Sequence, residues 1–158
     1  MSRVTRLVCR TDADTVAAGT RLAGRLERRL AAGNGAVIAL RGTLGAGKTT
    51  FARGVARGLG IAEAVTSPTY QLVLEYEGAL AGGVPVTFYH IDLYRVDSDA
   101  ELASLALDDF IHGAGVALVE WAEHAGDTLP EASIEVRIEI ADDLSRRLEI
   151  VEPEGEQA

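Results

Sequence analysis

The sequence predicts an α/β fold, a sheet with flanking helices and antiparallel hairpins, and three observations carry that expectation. A continuous apolar run, Ala36-Val37-Ile38-Ala39-Leu40, reads as a strand buried on both faces. A glycine-rich octapeptide, Gly42 to Thr49, follows it directly, and helical sequence then runs to about Leu59 before Gly60. Two later apolar runs each end in an acid, Phe88-Tyr89-His90-Ile91-Asp92 and Val116-Ala117-Leu118-Val119-Glu120.

The remaining elements follow in chain order. Val4, Leu7 and Cys9 mark a short extended start, and Thr11-Asp12 offers a helix cap. Val16, Leu22, Leu26 and Leu30 recur near helical spacing up to Gly33, with Arg21, Arg25, Arg28 and Arg29 on the polar side. Gln71–Tyr76 and Val84–Tyr94 read as a hairpin whose turn is marked by Gly78, Gly82 and Gly83. Asp99–Leu107 reads as one short helix. Ser133–Ile140 and Arg147–Ile150 alternate polar and apolar residues and form a terminal hairpin around Asp142-Asp143.

At 158 residues and 47% hydrophobic content the chain is one domain's worth, expected over residues 1–151, with an acidic, frayed tail at 152–158. Cys9 is the single cysteine, so no internal disulfide forms, and no run reaches membrane-spanning length. These features point to a cytoplasmic protein. The net charge of −9 is unevenly placed. Residues 1–60 carry eleven basic residues against Asp12, Asp14 and Glu27, and residues 61–158 carry four arginines against 21 acids. The Arg21, Arg25 and Arg28 stripe is either a docking face for an acidic partner or a solvated face. So acidic a chain is a poor nucleic-acid binder by itself.

Gly42-Thr43-Leu44-Gly45-Ala46-Gly47-Lys48-Thr49 matches the phosphate-loop pattern at each fixed position, between a buried strand and a helix. Glycines let the backbone aim successive N–H groups at phosphate, and the helix amino terminus adds positive potential. The pattern predicts ATP with Mg2+ as cofactors. Lys48 would reach the outer phosphates and the Thr49 hydroxyl would bind magnesium, with Thr50 alongside. Lys48 is the only lysine among fifteen basic residues, which fits a compact ammonium beside phosphate oxygens where a planar guanidinium would not sit.

An acid at the carboxyl end of a neighbouring strand is what magnesium needs next. Glu120 follows the more uniformly apolar run. Two such acids suggest a division of labour, one at the metal and one near the attacking water. Thr66-Ser67-Pro68-Thr69 reads either as an ordinary proline turn or as a sensor of the terminal phosphate. Trp121 would sit at the nucleotide end of its strand, although a lone tryptophan is more often core. His90, His112 and His124 lack metal-ligand spacing and read as structural.

Taken together, GTLGAGKTTFARG at Gly42–Gly54, SPTY at Ser67–Tyr70, HIDLYR at His90–Arg95 and VEW at Val119–Trp121 resemble the bacterial TsaE proteins in order and spacing, over nearly the whole chain. The resemblance implies a P-loop NTPase-like sheet and an ATPase needed for threonylcarbamoyl modification of the adenosine next to the anticodon. It implies TsaB and TsaD as partners, with tRNA reached only through that complex. It assigns Lys48 and Asp92 to catalysis and the magnesium to Thr49 and Glu120. Gly42, Gly45, Ala46, Gly47, Lys48, Thr49, Thr50 and Trp121 would hold the nucleotide, and Thr11 is a candidate adenine contact. Ala122 stands where many members have proline.

The alternative is a small-molecule P-loop kinase, which should carry an arginine-bearing lid. After Gly60 the arginines are Arg95, Arg137, Arg146 and Arg147, and none falls in such a segment. An Asn-Lys-x-Asp guanine motif is impossible, since the only Asn is Asn34 and the only Lys is Lys48. A nucleotide-binding module without turnover is the third reading, and Asp92 and Glu120 argue against it.

Overall fold

The computed structural model describes residues 2–66 and 72–154. The fold is α/β, a seven-stranded sheet with helices on both faces. The strands are β1 (Arg3–Cys9), β2 (Ala36–Gly42), β3 (Val73–Ala79), β4 (Pro85–Asp92), β5 (Val116–Glu120), β6 (Ile134–Ile140) and β7 (Arg146–Glu152). Their order in the sheet is β1-β7-β6-β2-β5-β4-β3. The four central strands, β6, β2, β5 and β4, run parallel, and each flank is closed by antiparallel pairing.

Strand alternation sorts the apolar residues into two cores. Ile38, Leu40, Val116, Leu118 and Phe88 face α1 (Asp12–Ala31) and α2 (Lys48–Gly58). Val37, Ala39, Ile91, Ala117 and Val119 face the other side, beneath α3 (Asp99–Ser104), α4 (Asp108–Ile111) and a 3-10 stretch at Ala122–Thr128. Because β2 and β5 bury both faces, Ala36–Leu40 and Val116–Val119 are continuously apolar rather than alternating.

Helix α1 starts on a capping box. The Thr11 hydroxyl accepts from the Asp14 N–H at 3.1 Å, and the Asp14 carboxylate accepts from the Arg10 and Thr11 N–H groups. These bonds hold the Asp14 carboxyl below its usual range. The helix buries Ala18, Leu22, Leu26 and Leu30, and each fully buried leucine contributes about 2 kcal/mol of transfer free energy. Helices α1 and α2 touch backbone to backbone. A Cβ on Gly54 would lie 2.1 Å from the Val16 carbonyl oxygen, and one on Gly19 would lie 2.4 Å from that of Phe51. The Thr20 hydroxyl fixes the crossing by donating to the Gly54 carbonyl at 2.9 Å.

Several boundaries differ from expectation. The region Asp99–Leu107 is broken at Ala106, whose φ of +49° ends the helical path, and α4 restarts at Asp108. Gly78 is a strand residue of β3 opposite Val86, not part of the turn. A Cβ there would lie 2.3 Å from the Leu59 carbonyl oxygen, so the strand needs glycine to pass the end of α2. Glu152 belongs to β7 rather than to the tail, and it binds Arg25 at 3.0 Å. That ion pair removes Arg25 from the stripe on α1, leaving Arg21 and Arg28 exposed. Residues 155–158 lie outside the described residues. Among the described residues, no helix is long and apolar enough to cross a membrane.

Candidate active site

The loop between β2 and α2 takes its shape from two left-handed glycines, Gly45 at φ +79° and Gly47 at φ +106°, conformations that L side chains rarely adopt. Gly47 caps α2, so Lys48 and Thr49 form the first turn of the helix and project where its N–H groups point. Ala46 is fully buried under the loop, and Leu44 at its crest is 72% exposed.

Two acids meet this loop by register and parity. β5 lies between β2 and β4, with Glu120 opposite Leu40 on one side and Asp92 on the other. Val116, Leu118 and Glu120 share a face, as do Phe88, His90 and Asp92, and in both rows it is the α2 face. Both carboxylates therefore reach the strand ends beside Thr49.

Glu120 is 3% exposed, and a carboxylate so buried needs partners. The Thr49 hydroxyl donates to its two oxygens at 3.2 and 3.3 Å. The fully buried His90 places Nε2 against Glu120 Oε2, while its Nδ1 has no hydrogen-bond partner among the described residues. Nε2 is thus the nitrogen that donates to the carboxylate, and His90 orients Glu120 in the way outer partners orient metal-binding carboxylates. The histidine earlier read as merely structural is joined to the site, and the only sequence signal was its place two residues before Asp92.

Lys48 is 5% exposed. Its ammonium donates to the Gly42 and Thr43 carbonyls at 2.6 and 3.0 Å and lies 4.0 Å from the centre of the Trp121 ring. Burial pulls its pKa down, opposed by Glu120, Glu123 and Asp92. Asp92 accepts from the Tyr94 N–H at 2.9 Å. Burial pushes its carboxyl upward, and the Glu120 charge adds to that push.

Trp121 has φ +56° and ψ +46°, a conformation that costs a non-glycine residue about 1–2 kcal/mol. It turns the chain sharply after Glu120 and packs the indole against Tyr94 and His124, with ring centres 4.9 and 5.8 Å away. Ala122, the departure from the family's proline, begins the 3-10 stretch and is fully buried.

These side chains line one cavity of about 380 Å³ with Leu44, Gly45, Gly47, Lys48, Thr49, Thr50, Leu72, Asp92, Tyr94, Arg95, Glu120 and Trp121 on its walls. Thr11 is engaged as the cap of α1 and is not part of this wall, nor are Gly42 and Ala46, which shape the loop from behind. Arg95 stands on the cavity wall as well, a placement that no lid-like segment in the sequence signals. It is exposed, and among the described residues no hydrogen bond or ion pair holds its guanidinium. Of Thr66–Thr69, read from the sequence as either a proline turn or a phosphate sensor, Ser67, Pro68 and Thr69 lie outside the described residues, as does Tyr70 of the SPTY motif.

A hard divalent cation suits the donors present. Thr49 and Glu120 converge through oxygen alone, and magnesium keeps several waters and takes few protein ligands. Among the described residues no group of three or more His, Cys, Asp or Glu side chains forms a self-sufficient metal cage.

Fold and cavity together define a phosphate-loop protein of the α/β class. The family described as "Threonylcarbamoyl adenosine biosynthesis protein TsaE" matches residues 9–148, and the chain belongs to it. The tRNA threonylcarbamoyladenosine biosynthesis protein TsaE of Treponema pallidum is 37% identical over 145 residues, covering 92% of this chain and 98% of that protein. The TsaE protein of Bacillus subtilis is 44% identical over 114 residues, covering 72% of this chain and 68% of its own. The crystal structure of Bacillus subtilis YdiB superposes with a TM-score of 0.70 at 32% identity, covering 96% of this chain and 87% of the other.

Proposed function

We propose that this chain is a magnesium-dependent ATPase that supports threonylcarbamoyl modification of tRNA beside the anticodon, acting with TsaB and TsaD to sustain turnover of the complex. The observation that carries the reading is the convergence of Lys48, Thr49, Asp92 and Glu120 on one cavity at a helix amino terminus.

In this account the loop N–H groups and Lys48 bind the phosphates. Thr49 and Glu120 hold magnesium, which neutralises charge on the outer phosphates when bound. Asp92 serves the attacking water. It stands half-buried on the cavity wall at the end of the strand beside Glu120, where a carboxylate can accept a proton from that water. The Trp121 ring walls the site beside Lys48 and keeps water from the ammonium.

Arg95 is a cation available to the transferring phosphoryl group, but an exposed side chain with no anchor among the described residues is not preorganised. Hydrolysis by the isolated chain is therefore slow, and partner docking accelerates it. Calorimetric titration with magnesium-ATP tests the assignment of the site. Lys48→Ala and Thr49→Ala should each weaken binding at least tenfold, and parental affinity in both would rule the site out.

A further inference from the structure

We infer that Arg146 is a positioning residue that sets the phosphate loop in its binding shape, acting from the last hairpin. The inference rests on the nucleotide-binding reading above. Arg146 opens β7, opposite Cys9 on one side and Ile140 on the other. Leu148 and Ile150 follow on the same face and are buried in the core shared with α1. One step nearer the sheet's end, the Arg146 side chain reaches the loop instead. Its Nε donates to the Ala46 carbonyl at 3.0 Å and its Nη2 to the Gly45 carbonyl at 3.3 Å, while Nη1 donates to the Leu144 carbonyl at 2.6 Å.

A phosphate cradle works only when the loop's N–H groups face inward, and the carbonyls of those peptide planes then face out. Ala46 sits between two left-handed glycines, whose peptides have the greatest freedom to turn over. The two loop carbonyls nearest β2, those of Gly42 and Thr43, are held by Lys48, a side chain that must also serve phosphate. Two further loop carbonyls, those of Gly45 and Ala46, are held by Arg146, which is not on the cavity wall and has no phosphate duty. A planar guanidinium grips two loop carbonyls and a turn carbonyl at once, and a single ammonium cannot reproduce that fork.

The test is magnesium-ATP titration of the parent, Arg146→Ala, Arg146→Lys and Lys48→Ala, each checked for thermal unfolding. Arg146→Ala should bind about tenfold more weakly while remaining folded, as the loss of charge-assisted hydrogen bonds to the loop implies. Millimolar ethylguanidinium should recover part of the affinity, a rescue that a purely structural role would not give. Arg146→Lys should stay weak despite keeping its charge. If the alanine variant does not fold, the lysine variant at parental melting temperature carries the test. A folded Arg146→Ala variant with parental affinity overturns the inference, as does full recovery by lysine, which would reduce the effect to charge alone. Lys48→Ala separates the two readings. If it loses binding while Arg146→Ala does not, only the brace fails, and if it binds like the parent, the nucleotide reading and the brace fail together.

Discussion

Asp92 and Glu120 stand directly opposite each other at the carboxyl ends of adjacent parallel strands. They face the same side of the sheet, yet their surroundings differ. Glu120 accepts hydrogen bonds from Thr49 and His90 in near-complete burial. Asp92 is half-buried, lines the cavity, and has its carboxyl pushed upward by burial and by Glu120. Environments that differ in this way assign different tasks to two like groups.

Asp92→Asn should accordingly bind magnesium-ATP within about threefold of the parent and lose about a hundredfold or more in turnover, the scale of a lost general base. Glu120→Gln should instead shift the magnesium requirement to higher concentration. Identical magnesium dependence and identical losses in the two variants would remove the division of labour.

Lys48 is wedged between two loop carbonyls and the Trp121 ring. Lys48→Arg, which keeps the charge, should fail nearly as badly as Lys48→Ala, because a guanidinium cannot enter that space. Retention of more than a third of parental affinity by the arginine variant would contradict this.

The glycines of α1 and α2 predict opposite signs. Gly54→Ala drives a Cβ into the Val16 backbone and should cost about 1–3 kcal/mol or more in urea unfolding. Gly24 is exposed on α1 and has nothing within 4 Å of its Cβ position, so Gly24→Ala should stabilise by about 0.5–1 kcal/mol. Equal stabilities for the two variants would refute the close helix crossing.

Asp14 predicts a pH dependence. Its folded pKa lies below the usual aspartate value because it accepts N–H bonds from Arg10 and Thr11. The capping box therefore contributes fully above the unfolded pKa and loses its contribution as pH falls through the folded one. Urea midpoints measured from neutral to acid pH should fall less steeply for Asp14→Asn than for the parent. Parallel curves would show that the box does not titrate with folding.

What the sequence made legible was what local rules govern. The buried runs of β2 and β5, the loop pattern and the two strand-end acids were readable because each is contiguous in the chain. Arg146 and the Glu120–His90 contact were not, since each depends on strand pairing across 30 to 101 residues. The broken helix at Ala106 was hidden for another reason. Alanine is a strong helix former, so no local signal marks its left-handed backbone, which precedes Leu107 and Ile111 in the second core.

The most direct test of the central claim is phosphate release from magnesium-ATP by this chain alone and mixed with TsaB and TsaD, run beside the Asp92→Asn variant. The account predicts slow release alone, clear acceleration in the mixture, and background rates whenever Asp92→Asn replaces the parent. Release that is unchanged by the partners, or that continues at the parental rate with Asp92→Asn, would contradict it.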